Sequence, residues 1–282
     1  QVLLSLTRLN RIRHIDTANA SLTAEAGCVL QLVQQAAVDA GLMLALSLAA
    51  EGSCTLGGNL ATNAGGTQVL RFGNAREQCL GLEVVTADGD IWHGLSGLRK
   101  DNTGYDLRDL FIGSEGTLGI ITAATMKLFP RPAATLTALA ACPDIDAAIG
   151  LLRRARMHLD AGLTGFEVMG AFALQLQARH FPLLRNPLPA SPWTVLLELA
   201  AGDATEASQR LSSLMEEAEG LGLASDAVVA GNLAQAHALW ELRESIPLAQ
   251  AREGLNIKHD VALPVSAIPD FLRHMDTSLD AL

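Results

Sequence analysis

The sequence predicts an α+β fold in two domains, and three observations carry that reading. Strand-like and helix-like patterns alternate along the chain, no Gly-Lys-Ser/Thr phosphate loop or Gly-x-Gly-x-x-Gly fingerprint marks a nucleotide-binding parallel sheet, and Phe129-Pro-Arg-Pro132 breaks the pattern near the middle. At 282 residues the chain can hold two cores. With 49% hydrophobic residues but only 4% aromatics, those cores must rest on Leu, Ala, Val and Ile.

Alternation over residues 3–6 and 21–26 predicts short strands. Residues 28–40 place Val29, Leu32, Val33, Ala36 and Ala37 on one helical stripe, with Gly41 as the stop. Residues 82–92 read as a β-hairpin turning at Asp88-Gly89, and 120–128 as a strand closed by the Pro-rich exit. That exit sets the domain boundary after Pro132, giving domains 1–132 and 133–282. In the second half, 135–141 read as a strand, 144–158 as a helix, 164–168 as a strand and 171–179 as a helix. A Pro-rich loop over 181–192 precedes a strand at 194–200, a helix at 205–220 and a longer helix at 233–252. Residues 255–263 alternate as a strand, and a last helix starts at Val265. This order predicts an antiparallel sheet covered by helices on one side.

Charge and composition narrow the function classes. Thirty acidic against twenty basic residues give a net charge of −10 with no Lys/Arg-rich run, which argues against nucleic acid or anionic lipid as a partner. No apolar run reaches the roughly 18 residues that span a bilayer, and the N-terminus lacks a signal-peptide pattern, so the sequence predicts a cytoplasmic protein. The run Val2-Leu-Leu-Ser-Leu6 directly after Gln1 reads as a chain that begins mid-domain. Cys28, Cys54, Cys79 and Cys142 are far apart and form no Cys-x-x-Cys pair, which predicts reduced thiols. Cys54, inside a glycine-rich stretch, reads as a small packing residue, with a reactive thiol as the alternative. The histidines form no His-x-His or His-Glu-x-x-His pattern, so no metal site is predicted from this chain's own residues.

The chemistry concentrates in two stretches. Gly52-Ser-Cys-Thr-Leu-Gly-Gly-Asn-Leu-Ala-Thr-Asn-Ala-Gly-Gly-Thr67 is uncharged and carries five glycines. Glycines let a ligand approach the backbone, successive N–H groups can form an anion-binding concavity, and Ser53, Thr55, Asn59, Thr62, Asn63 and Thr67 can add side-chain hydrogen bonds. Such a loop suits a diphosphate or a ring with polar edges, held by dipoles in place of lysines. Farther on comes Lys100-Asp-Asn-Thr-Gly-Tyr-Asp-Leu-Arg-Asp-Leu-Phe-Ile-Gly-Ser-Glu-Gly-Thr-Leu-Gly-Ile-Ile-Thr122. The plain reading of Gly113, Gly116 and Gly119 is a tight turn into a strand, which is compatible with a ligand-lining role.

Together the two stretches resemble FAD-linked oxidoreductases of the vanillyl-alcohol-oxidase-type (PCMH-type) flavin fold, in the branch that oxidises D-2-hydroxy acids: D-lactate, glycolate and D-2-hydroxyglutarate dehydrogenases. The resemblance implies the second part of a PCMH-type FAD-binding domain, followed by a substrate (cap) domain. It implies flavin contacts at Ser53, Gly57, Gly58, Asn59, Thr62, Gly65 and Gly66, and again at Glu115, Gly116, Gly119 and Ile121. A third motif, Trp240-Glu-Leu-Arg-Glu-Ser-Ile-Pro247 followed by Asn256-Ile-Lys-His-Asp-Val-Ala-Leu-Pro264, resembles the substrate-side segment of the same branch. There an arginine and a lysine fifteen residues later bind the substrate carboxylate, which implies Arg243 and Lys258 here. The chemistry fits, because a guanidinium can grip a carboxylate through parallel N–H bonds and an ammonium adds a point charge. One departure stands out. Members that oxidise hydroxyglutarate place a threonine four residues after the arginine, whereas this chain has Pro247.

The resemblance further implies hydride transfer from the 2-hydroxy acid to flavin N5, an electron acceptor that is a quinone, a flavoprotein or a cytochrome, and a homodimer. Family members carry an upstream phosphate loop and a downstream His-x-x-x-Gly-Asp-Gly-Asn-x-His segment supplying ligands to a zinc-like divalent metal. Neither occurs in these residues. An alternative reading therefore makes the chain a non-catalytic FAD-binding piece or subunit that packs with a partner carrying the active site.

Overall fold

In the computed structural model, which describes residues 4–279, the chain divides into two units, Gln1–Pro132 and Ala133–Leu282. The first runs β1 (Ile12–Asp16), β2 (Ser21–Glu25), α1 (Leu30–Asp39), β3 (Leu42–Met43), α2 (Leu56–Ala61), α3 (Val69–Phe72), α4 (Ala75–Gln78), β4 (Cys79–Val85), β5 (Ile91–Gly94), α5 (Arg108–Phe111), β6 (Ile120–Lys127) and β7 (Phe129–Pro130). Its main sheet is antiparallel, in the order β1-β2-β6-β4-β5, and β3 pairs separately with β7.

Side-chain alternation decides the two faces of this sheet. Leu22, Ala24, Leu82, Val84, Ala124 and Met126 turn to one side and pack with Leu30, Val33 and Ala37 of α1 and Leu56 and Leu60 of α2. Each fully buried leucine there contributes roughly 1.5–3 kcal/mol. The opposite face is polar. The hydroxyls of Thr23 and Thr125 meet at 2.9 Å, and the Glu25 side chain, only 1% exposed, accepts hydrogen bonds from Arg11 and Arg13. Arg13 also grips Glu83 through both terminal nitrogens, at 3.0 and 3.1 Å, and so ties β1 to β4.

The second unit runs β8 (Ala134–Cys142), α6 (Ile145–Leu159), β9 (Leu163–Gly170), α7 (Ala171–His180), β10 (Trp193–Ala201), α8 (Ala204–Gly220), β11 (Asp226–Val229), α9 (Leu233–Glu244), α10 (Ile246–Glu253) and α11 (Ile268–Leu279). The sheet order is β11-β8-β10-β9, again antiparallel throughout. Asp144 and Asp203 cap α6 and α8, accepting from the backbone N–H of Ala147 and Glu206. Ala138, Ala140, Val195, Leu197 and Leu199 face these two helices, as a sheet with helix cover on one side requires. The opposite face holds Leu139, Ala141, Met169 and Leu196, packed against Leu239 and Leu242, so α9 adds cover on that side as well.

Several elements differ from the sequence expectations. Residue 3 of the expected first strand lies outside the described residues, and 4–6 form no strand. The first strand is β1 instead, whose Arg13 and His14 hid it from a search for apolar alternation. The single helix expected over 233–252 is two, with Ser245 between them, because Pro247 supplies no N–H and is tolerated only in the first turn of α10. Residues 255–263 form no strand and are exposed throughout, since no neighbouring strand pairs with them. Their alternation is real, but it leaves Leu255, Ile257, Val261 and Leu263 exposed.

Candidate functional site

The glycine-rich stretch is not the open loop that its composition suggests. Thr55 caps a short helix, α2, by accepting from the N–H of Gly58 at 3.3 Å. Gly57 allows this helix to lie against β2. Its N–H donates to the Ala26 carbonyl at 2.7 Å, and a Cβ there would stand 2.5 Å from the Ala26 Cβ. The N–H of Asn59 closes onto the Thr55 carbonyl at 2.9 Å. The row of free amides expected for an anion is thus spent on helix and packing bonds.

The second stretch is tied directly to this helix. The N–H groups of Gly113 and Glu115 donate to the carbonyls of Leu60 and Ala61 at 3.0 and 2.9 Å. Glu115 and Gly116 both have positive φ, +52° and +77°, which reverses the chain before β6. Between the two lies a cleft of about 290 Å³, lined by Gly57, Gly58, Glu115, Gly116, Gly119 and Ile121, with Leu4, Leu6, Thr7, Gly27, Thr55, Ala61 and Ile120 completing it. Its walls are glycine backbone and apolar side chains, without a cation.

Six of the eleven residues expected to contact the flavin therefore line one cleft, and five do not. Asn59 is buried and turns its amide to Cys54 Sγ at 3.4 Å. The Thr62 hydroxyl donates to the Gly58 carbonyl, and the Ser53 hydroxyl to the Ala50 carbonyl. Gly65 and Gly66 sit beside other segments, with Gly66 pressed against the Ser47 carbonyl. Thr55 was missed. A threonine before an apolar residue is an N-cap signal, but the two glycines that follow argue against a helix.

In the second unit, Arg243 occupies the last turn of α9, and its Nε donates to Glu167 Oε2 on β9 at 2.7 Å. One turn earlier, Trp240 Nε1 donates to Glu198 Oε2 at 2.9 Å, and the Thr164 hydroxyl donates to the other oxygen of Glu198. Lys258 lies on the exposed, irregular segment after α10, and no hydrogen bond or ion pair joins it to Arg243 among the described residues. Neither Glu167 nor Glu198 was identified from sequence, since each lies far along the chain from its partner.

Burial pushes the Cys79 and Cys142 thiols up to about 12, which disfavours their thiolates. All four cysteines are free thiols. Among the described residues no group of three or more His, Cys, Asp or Glu side chains is placed to hold a metal ion, and no helix is long and apolar enough to cross a membrane.

The first unit thus holds a glycine-walled cleft, and the second an arginine paired with a carboxylate of its sheet. Family models match both units: the description "FAD binding domain" matches residues 1–94, and "FAD linked oxidases, C-terminal domain" matches residues 131–282. The chain belongs to the FAD-linked oxidases, and its fold is of the PCMH type. It is 40% identical over 279 residues to the mitochondrial D-2-hydroxyglutarate dehydrogenase of Rattus norvegicus, covering 99% of this chain and 52% of that protein. The Danio rerio protein of the same name is 38% identical over 282 residues, covering 100% and 53%. Among solved structures, p-cresol methylhydroxylase with substrate bound superimposes with a TM-score of 0.65 at 17% identity, covering 84% of this chain and 51% of that one. The chain spans about half the length of the curated relatives it matches.

Proposed function

We propose that these residues belong to an FAD-dependent dehydrogenase that oxidises a D-2-hydroxy acid to the 2-oxo acid. The observation that carries the proposal is the shared cleft: two stretches more than fifty residues apart meet through backbone bonds from Leu60 and Ala61 to Gly113 and Glu115. Its size suits part of the cofactor. Small-molecule clefts run roughly 300–1,000 Å³, so about 290 Å³ takes one portion of a dinucleotide. Gly57, Gly58, Gly116 and Gly119 would present backbone to the bound portion, and Ile121 with Glu115 would border it.

FAD when bound supplies the two-electron acceptor chemistry, at N5 of its ring. The residues of this chain would do the rest by binding and orientation. Arg243 would grip the substrate carboxylate and fix the direction of the α-carbon, with Lys258 adding a second positive charge. Relatives named D-2-hydroxyglutarate dehydrogenase support a C5 diacid as substrate, whereas Pro247 offers neither a hydroxyl nor an N–H and favours a smaller acid such as D-lactate or glycolate. The electron acceptor would be a quinone, a flavoprotein or a cytochrome, and the protein a homodimer. Free cysteines suit a reducing compartment, whether cytoplasmic or mitochondrial.

The exposed row of Leu255, Ile257, Val261 and Leu263 supports a second reading, in which these residues are a flavin-binding piece completed by further polypeptide. The test is steady-state dye reduction by the intact protein with D-2-hydroxyglutarate, D-lactate and glycolate. Arg243→Ala should lower kcat/KM about 10- to 150-fold, the loss of a charge-assisted contact of roughly 1.5–3 kcal/mol. Unchanged kinetics would remove Arg243 from the site.

A further inference from the structure

We propose that Glu167 is a positioning residue for Arg243, holding the guanidinium by one edge so that its opposite edge faces an incoming carboxylate. The inference rests on the reading of Arg243 as the carboxylate anchor and goes one residue deeper. A guanidinium has three nitrogens, and two can engage a carboxylate side by side. Here the only hydrogen bond of the Arg243 side chain among the described residues runs from Nε to Glu167 Oε2, at 2.7 Å. Nη1 and Nη2 retain their protons, and together they can make a bidentate grip. Arg13 shows such a guanidinium fully used, its Nε donating to Glu25 and its two terminal nitrogens gripping a second carboxylate, Glu83. Arg243 keeps the fork free.

The surroundings are built to hold this geometry. Alternation along β9 places Gly165, Glu167 and Met169 on the α9 side of the sheet, and Met169 is buried there. Gly165 leaves room for the Trp240 ring, since a Cβ would meet it at 3.4 Å. Trp240 and Arg243 are three residues apart on α9 and so share a face. Each is fastened by a carboxylate from the sheet, Trp240 by Glu198 and Arg243 by Glu167. Glu198 is itself fixed by the Thr164 hydroxyl at 2.9 Å. Two rails thus set the rotation of α9, and the second ends in a partly exposed arginine, 34% accessible, with two nitrogens unspent.

Positioning and charge make opposite demands on substitutions. Glu167→Gln keeps an oxygen acceptor at the same reach and removes the charge, whereas Glu167→Asp keeps the charge and withdraws the acceptor by one methylene. In the intact protein, Glu167→Gln should stay within a few-fold of wild type, and Glu167→Asp should raise KM for the 2-hydroxy acid about 10-fold or more, as expected for a binding group displaced by about 1 Å. Flavin content and melting temperature should change little, which a purely structural role would not predict. In an Arg243→Ala background, Glu167→Asp should have no further effect on KM. If Glu167→Asp behaves as wild type while Arg243→Ala is impaired, or if Gln is worse than Asp, the positioning role is overturned and the carboxylate anchor stands. If Arg243→Ala is itself unimpaired, the anchor reading fails and the role of Glu167 fails with it.

Discussion

Gly58→Ala separates the ligand-lining role of the glycine-rich helix from its structural role. Gly58 is the third residue of α2 and lines the cleft. A Cβ built there meets only Thr55 Oγ1, at 3.1 Å. That contact asks the capping threonine to yield by a few tenths of an ångström, at a typical cost of about 1 kcal/mol if the cap is lost. Replacing glycine by alanine inside a helix returns about 0.5–1 kcal/mol. The two nearly cancel, so the unfolding free energy should stay within about 1 kcal/mol of wild type. Any ligand packed on the Gly58 backbone, however, meets a new methyl group, and overpacking of this kind costs roughly 1–3 kcal/mol. FAD affinity of the intact protein should therefore fall about 5- to 150-fold. The assay pairs FAD titration of the apoprotein, followed by flavin fluorescence, with thermal unfolding of the same sample. Undiminished affinity at wild-type stability would show that no flavin rests on this face. Affinity lost only together with the melting transition would reassign the effect to folding.

Other perturbations act on the scaffold or on the whole chain. Gly66→Ala should destabilise by about 2–4 kcal/mol, measured by denaturant midpoint, because φ is +120° and the new Cβ would lie 2.1 Å from the Ser47 carbonyl, displacing the bond that Thr67 N–H makes to it; a variant as stable as wild type would refute this account of the loop. The Glu25 carboxyl is held below its ordinary range, chiefly by hydrogen bonds from the Arg11 side chain. A depressed carboxylate stabilises fully above its unfolded pKa of about 4.3 and loses that contribution as pH falls through the folded value. Stability should thus decline below about pH 4, and Glu25→Gln should be less stable at neutral pH by about 1.5–3 kcal/mol with a flatter acid limb; an unchanged acid limb in the variant would assign the decline to other groups. The isolated 282-residue chain should bind FAD weakly and reduce dye slowly with D-lactate or D-2-hydroxyglutarate, since its cleft takes only part of the cofactor; robust turnover would show that these residues suffice.

Much of the fold was legible because its elements carry strong local periodicity. The stripe of α1, the Asp88-Gly89 hairpin and the apolar runs of β6, β8 and β10 all form close to their expected bounds, and α6 and α8 follow their caps and amphipathic patterns. The misses have identifiable physical causes. The edge strand β1 is held by Arg13 bridging Glu25 and Glu83, a tertiary arrangement that leaves no apolar alternation to find. Helix α2 contains Gly57 and Gly58, poor helix formers, and forms because Thr55 caps it and Gly57 packs against Ala26. The break at Ser245 was written in Pro247 and was overridden by the length of the helical pattern. Residues 255–263 show the converse: an alternating pattern forms a strand only where an edge receives it.

The candidate site divides along the same line. The two glycine-bearing stretches were found by motif, yet only the structure separates Gly57, Gly58, Glu115, Gly116, Gly119 and Ile121, which line the cleft, from Ser53, Asn59, Thr62, Gly65 and Gly66, which serve the helix and its neighbours. Arg243 was marked by its motif, whereas its partner Glu167 lies 76 residues away on another element and leaves no local trace.

The central claim is that the cleft between α2 and the Gly113–Gly119 turn holds part of the flavin cofactor. A crystal structure of the intact protein with FAD tests it most directly. The account predicts cofactor atoms in van der Waals contact with the backbone of Gly57, Gly58 and Gly116, with the Ile121 side chain against the same group. A cofactor bound wholly elsewhere, with solvent over Gly58 and Gly116, would contradict it.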